Sequence, residues 1–279
     1  MIHIKSFQWV LENIDNPNVR IVDCRFQLND PDAGGKMYAE GHLPNAFYLD
    51  LNKDLSSTVL EHGGRHPLPD IAHSTRRFSE IGIDNHVTVV AYDDQNGAMA
   101  SRLWWILRYY GHENVFVMNG NFRSWKDEGL PLSSAFPTTK KRSFKPIIQS
   151  HMLASVEDVK AKLNDPETIL IDSRENTRYL GVEEPIDKKA GHIPGAVNYF
   201  WQESLQNGKW KNQEQLQMQF KDLPKEKEII VYCGSGVTAC PNILSLSEAG
   251  YENVLLYAGS WSDWITYPDN PISSKQSFS

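Results

Sequence analysis

The chain has 279 residues, of which 40% are hydrophobic and 23% charged, so it can build one large core or two ordinary ones. Its formal net charge of −7 argues against nucleic acid, because a phosphate backbone demands a basic face. Net charge leaves room for a local basic pocket that holds a small anion.

The N-terminus, MIHIKSFQWVLENIDN, places acids and amides in its first turns and has no apolar run ending in small residues, so it does not read as a signal peptide. No later stretch approaches the roughly 20 apolar residues that span a bilayer, and no membrane partner is expected. Residues Val19–Val22 form a short apolar run that closes in IVDCR, with Cys24 inside it. EGHLPNA follows, then a second apolar run, Val87–Ala91, then a helix-period stretch, Ala98–Tyr110, and then GHENVFVMNGNFRSW. Residues 133–150, SSAFPTTKKRSFKPIIQS, have the composition of a connecting segment.

After that segment the text starts again. Val156–Leu163 is helix-periodic, Ile169–Ile171 leads into LIDSR, and AGHIPGA takes the place of EGHLPNA. Helix-period Glu214–Phe220, strand-like Ile229–Tyr232, helix-period Pro241–Ala249 and GYENVLLYAGSWSDW complete the second copy. The offset between copies barely drifts: 149 from Asp23 to Asp172, 150 from His42 to His192, 140 from Tyr92 to Tyr232 and 139 from Trp125 to Trp264. A period of that length is a domain, not a solenoid unit. The reading is residues 1–135 as a first domain, 136–149 as a linker and 150–279 as a second domain. Near-continuous apolar strands alternating with helices predict an α/β fold, each domain a mainly parallel sheet flanked by helices. Chemistry in such sheets sits at the carboxyl ends of the strands.

Cys233 stands at such an end, in IIVYCGSGVTAC. Gly234, Ser235 and Gly236 follow, and a helix is expected to begin near Val237 or Thr238. The glycines let successive N–H groups turn toward one point, and a helix N-terminus adds positive potential, so the loop can cradle an anion. A sulfur at its focus is favoured as thiolate and suits covalent catalysis. Buried structural cysteine is the commoner state of a lone Cys, but a packing cysteine needs neither the Gly-Ser-Gly turn nor the helix start. Cys240 and Cys24 read as packing. Three cysteines, without metal-like spacing, fit a reduced, cytoplasmic setting, and no metal or organic cofactor is expected.

CGSGVTA after an apolar strand, with the Asp-Ser-Arg, Gly-His-Ile-Pro-Gly-Ala and Gly-Ser-Trp-x-x-Trp blocks, resembles the tandem-domain rhodanese and 3-mercaptopyruvate sulfurtransferase family along essentially the whole chain. The resemblance implies a persulfide on Cys233, catalysis by the second domain only, and transfer from a small sulfur donor to cyanide, a thiol or a thioredoxin-like acceptor. It makes Arg178 the cation for the donor's anionic group, and Gly234, Ser235, Gly236, Val237 and Thr238 the substrate loop. Where related enzymes carry a second arginine, this chain reads GVEEPIDKKAGH, so Lys188 or Lys189 is the candidate substitute. His42 is a possible contributor from the first repeat, although His192 matches it and suggests a brace before Pro44 and Pro194. Asp23–Arg25 and Asp172–Arg174 recur in both copies and read as buried ion pairs. Trp125, Trp261 and Trp264 read as packing.

Aligning VVAYD with IIVYC sets Asp93 opposite Cys233, so the first copy lacks the nucleophile and is expected to wall the cleft. A cysteine phosphatase is disfavoured because no Lys or Arg lies between Tyr232 and Pro241 to clamp phosphate. A non-catalytic sulfur carrier is the remaining alternative, which donor turnover separates. The uncharged loop suggests mercaptopyruvate over thiosulfate, a compact dianion that wants positive charge beside the sulfur.

Overall fold

The computed structural model describes residues 1–274; residues 275–279, assigned above with the second repeat, lie outside the described residues. The strands of the first repeat are β1 (Ile4–Lys5), β2 (Val19–Asp23), β3 (Phe47–Tyr48), β4 (Thr88–Tyr92) and β5 (Val115–Met118). They form one sheet in the order β1-β5-β4-β2-β3, with every neighbouring pair parallel. The second repeat supplies β6 (Leu153–Ala154), β7 (Thr168–Asp172) and β8 (Val197–Asn198). Two short strands, β9 (Leu205–Gln206) and β10 (Lys209–Trp210), flank the Asn207-Gly208 turn, and β11 (Glu228–Tyr232) and β12 (Val254–Tyr257) follow. Here too the sheet has five strands, ordered β6-β12-β11-β7-β8 and parallel throughout. The α/β reading therefore holds, with the same strand order in both copies.

The chain divides into two compact units. One contains Met1–Ser57, Leu68–Gln149 and Asn207–Trp210; the other contains Thr58–Pro67, Ser150–Gln206 and the chain from Lys211 on. The decapeptide Thr58–Pro67 is thus written in the first repeat and built into the second unit. Residues 136–149 run against the first unit: Arg142 N–H donates to Ser79 O at 3.0 Å and Ile147 N–H to Tyr110 O at 2.9 Å, while Phe144 is buried.

The central strands are buried because both faces of each sheet are covered, which explains their unbroken apolar runs. The repeated polar residues brace the same corner twice. Arg25 binds Asp23 at 2.7 Å and Arg174 binds Asp172 at 2.7 Å, all four being buried. The Arg174 guanidinium also donates to Gly191 O at 2.6 Å, fixing the loop that carries His192. His42 and His192 each place Nδ1 2.7 Å from a carbonyl, of Tyr38 and of Tyr179. Trp125, Trp261 and Trp264 are fully buried, as packing requires.

Candidate active site

β11 delivers Cys233, only 1% exposed, at its carboxyl end. Gly236 adopts φ +76°, and a Cβ there would lie 2.1 Å from the Ala258 carbonyl oxygen, so the turn admits only glycine. The turn carries Gly236 N–H to 3.2 Å from Cys233 Sγ. Cys233 N–H donates to Ser260 Oγ at 3.1 Å. The Cys233 carbonyl accepts from Trp261 N–H at 3.0 Å, and that of Gly234 from Ser262 N–H at 2.9 Å. The Gly-Ser-Trp block thus holds the cysteine loop by its backbone. The following helix begins at Ala239, slightly later than expected, with Thr238 at its N-cap. Val237 is buried and Thr238 partly so.

Cys240 donates its thiol to Gly236 O at 3.3 Å and is fully buried. Cys24 is buried too; burial, then the charges of Asp23, Asp93 and Asp54, push its thiol far above the ordinary range. Both are packing cysteines, as their positions suggested.

Arg178 and Arg65 both press on the loop. A Cβ built on Gly234 would lie 3.0 Å from one Arg65 nitrogen and 3.5 Å from one of Arg178. Arg178 pairs with Glu184 at 2.7 Å and with Asp187 at 3.0 Å. Arg65 forms an ion pair with the other oxygen of Asp187. Burial pulls the Arg65 guanidinium down from its ordinary range; neighbouring Cys233 opposes this and Arg178 adds to it. Glu184 also holds Arg174 at 3.2 Å.

Ser235 and His66 are both buried, with His66 Nδ1 2.8 Å from Ser235 Oγ. The Arg65-His66 dipeptide is pinned in place by its neighbours. Gly63 N–H donates to Asp263 Oδ1 at 2.7 Å and Arg65 N–H to Ser262 Oγ at 3.1 Å. Gly64 has φ +79° and passes so near Gly259 that a Cβ would meet its carbonyl oxygen at 2.3 Å. One dipeptide therefore sets a guanidinium over Gly234 and an imidazole on Ser235.

Sequence reasoning missed both residues. It looked for a first-repeat histidine at His42, which is fully buried and has its ring nitrogens 2.7 Å from Tyr38 O and 3.2 Å from Ala135 O. It looked for the second cation at Lys188 and Lys189, which are exposed; with Arg65, Asp187 and Ile186 they line a cavity of about 580 Å³. The available signal was Gly63-Gly64-Arg65-His66-Pro67-Leu68-Pro69, a glycine- and proline-rich stretch that sets an arginine and a histidine side by side outside the apolar and helix-period runs. The loop itself carries no charge, as its sequence says, and the cations beside it are Arg178 and Arg65.

In the first unit the same backbone cradle holds an internal anion. Asp93 Oδ1 accepts N–H bonds from Gln95 and Gly97 at 2.8 Å, and Oδ2 from Met99 at 2.8 Å and Ala100 at 2.9 Å. Burial raises this carboxyl, and the four donors work against that rise. Asp93 stands where the second unit has Cys233, and it takes up the donors itself.

Among the described residues no group of His, Cys, Asp and Glu could hold a metal ion, and no helix is long and apolar enough to cross a membrane. The family model for the rhodanese-like domain matches twice, at residues 6–128 and 155–267. A probable 3-mercaptopyruvate sulfurtransferase of Pseudomonas aeruginosa is 38% identical over 273 residues, covering 96% of each chain. The thiosulfate sulfurtransferase of Cricetulus griseus is 32% identical, over 98% of this chain and 95% of that one. Among solved structures, the 3-mercaptopyruvate sulfurtransferase from Leishmania major superposes with a TM-score of 0.83 at 30% identity, over 97% of this chain and 76% of the other. The cysteine loop, its bracing blocks and the doubled sheet are thus those of the rhodanese-like family, and this chain belongs to it with two copies of the domain.

Proposed function

We propose that the protein is a sulfurtransferase that takes sulfane sulfur from 3-mercaptopyruvate or thiosulfate onto Cys233 and passes it to a thiophilic acceptor. The observation that carries this reading is the convergence on one loop of Cys233 Sγ, the Gly236 N–H at 3.2 Å, the His66–Ser235 pair and two guanidiniums over Gly234. The second unit does the chemistry and the first, whose cradle Asp93 fills, does none. Cyanide, a small thiol or a reduced thioredoxin-like protein serves as acceptor, in a reduced, cytoplasmic setting of the kind that keeps a catalytic thiol available.

With mercaptopyruvate, the Cys233 thiolate attacks the donor sulfur. The C–S bond breaks, its electrons leave with pyruvate as the enolate, and the sulfur stays as a Cys233 persulfide. A proton must then reach the departing carbon, and the Ser235 hydroxyl backed by His66 is placed to relay one. Thiosulfate departs as sulfite and asks for no proton. The hydroxyl–imidazole pair therefore favours mercaptopyruvate as the better donor, while the arginine pair lets thiosulfate turn over too. The acceptor then removes the outer sulfur and regenerates the thiolate, giving ping-pong kinetics.

The test is steady-state transfer from both donors side by side, with intact-mass measurement of donor-treated protein. One sulfur atom should appear on Cys233 and leave on adding cyanide. Cys233→Ser should abolish transfer, while Cys24→Ser and Cys240→Ser largely keep it. Normal turnover by Cys233→Ser would end the proposal.

A further inference from the structure

The two guanidiniums beside the cysteine loop are bridged by a carboxylate of the protein itself. Asp187 puts one oxygen on Arg65 and the other on Arg178, the latter at 3.0 Å. Its side chain is buried and sits on the segment Gly181–Ala190, which contains no strand or helix. Glu184 lies on the same segment and touches the same Arg178, but its situation differs. It accepts Ile186 N–H at 3.1 Å and Asp187 N–H at 3.0 Å, and it also binds Arg174, which is locked to Asp172. Removing Glu184 unmakes the loop and a buried ion network. Among the described residues, the side-chain bonds of Asp187 go to the two arginines.

We propose that Asp187 is a resident counter-anion that sets the threshold for donor binding: it occupies the seat between Arg65 and Arg178, and the anionic group of the donor must displace it. This inference rests on the sulfurtransferase reading of the site. A carboxylate spanning two guanidiniums is the arrangement in which a donor's carboxylate would itself be held. With Asp187 in place the pair of positive charges is already compensated, so anions gain only the difference between their own contacts and those of Asp187. A carboxylate donor can reproduce both contacts. An anion that reaches only one guanidinium cannot, and is excluded. Asp187 therefore acts as a threshold against small anions as well as a support for the arginines in the empty site. Displacement has somewhere to go, because Asp187 also borders the cavity lined by Lys188 and Lys189.

The opposite hypothesis is that Asp187 only positions the arginines. The two make opposite predictions for Asp187→Asn, which keeps the shape and removes the charge. Displacement predicts that KM for mercaptopyruvate and for thiosulfate falls about tenfold, the size expected from losing a charged hydrogen-bonding competitor. Positioning predicts that KM rises. Isothermal titration of inorganic sulfate into the full chain gives a second readout that needs no turnover, and its Kd should also fall about tenfold in Asp187→Asn. Asp187→Ala, which cannot brace an arginine at all, should tighten sulfate in the same direction. An unchanged or weakened sulfate Kd in both variants overturns the proposal. If wild-type protein turns over neither donor, the sulfurtransferase reading fails on its own, while the sulfate titration still decides whether Asp187 guards an anion seat.

Discussion

Replacing Gly236 with alanine tests whether the backbone turn, as opposed to the cysteine alone, makes the site. At φ +76° an alanine costs about 1–2 kcal/mol over glycine. Its methyl would also meet the Ala258 carbonyl oxygen at 2.1 Å, far inside contact distance, and that atom is backbone and cannot swing away. Forcing such an overlap costs a further 1–3 kcal/mol or so, because the loop or β12 must shift. Urea unfolding should therefore show a loss of about 2–5 kcal/mol in total. The shift also withdraws the N–H that lies 3.2 Å from Cys233 Sγ. A hydrogen bond to a charged group is worth about 1.5–3 kcal/mol, so kcat/KM should drop roughly ten- to hundredfold. Gly234→Ala is the control. It has no positive φ, and its new methyl would meet only the ends of two arginine side chains. It should fold with little loss and raise KM by crowding those side chains. If Gly236→Ala unfolds within about 0.5 kcal/mol of wild type and turns over normally, the turn is not what the geometry says it is.

Arg178→Ala should raise KM for mercaptopyruvate more than it lowers kcat, the mark of lost ground-state binding; a fall in kcat alone would argue against a binding role. His66→Gln should lower kcat with mercaptopyruvate while sparing thiosulfate, because only the first leaving group needs a proton; equal losses with both donors would refute the relay. In the first unit, burial and then the nearby Arg108 hold the His3 imidazole down to about 4. Its folded pKa lies below the unfolded value, so its stabilising contribution is complete above about pH 6.5 and is lost as pH falls through about 4. Urea unfolding at pH 7 and pH 4.5 should show wild type losing about 1–2 kcal/mol more than His3→Gln, and equal losses would remove this account.

Much of this molecule is written in local signals. The doubled blocks, the apolar runs and the short polar loops between them give two parallel α/β sheets, because a strand covered on both faces must be apolar along its length. Cys233 was legible for the same kind of reason: a strand, two glycines and a helix start define a backbone shape without reference to the rest of the chain. So was the absence of a matching cysteine in the first copy, where Asp93 stands at that position, although only the three-dimensional structure shows that its carboxylate takes four N–H donors. The other half of the site was not legible. Arg65 and His66 lie 168 and 167 positions before Cys233, and nothing in the periodicity or spacing says that Thr58–Pro67 is built into the second unit. Their location depends on long-range packing, on Gly64 passing close to Gly259 and on the bonds of Gly63 and Arg65 to Asp263 and Ser262. Charge pairing is equally non-local in its outcome. The sequence supplied Arg178, Glu184 and Asp187 close together along the chain, but which carboxylate locks the fold and which one covers the arginines is decided by the buried Arg174 that Glu184 must also satisfy.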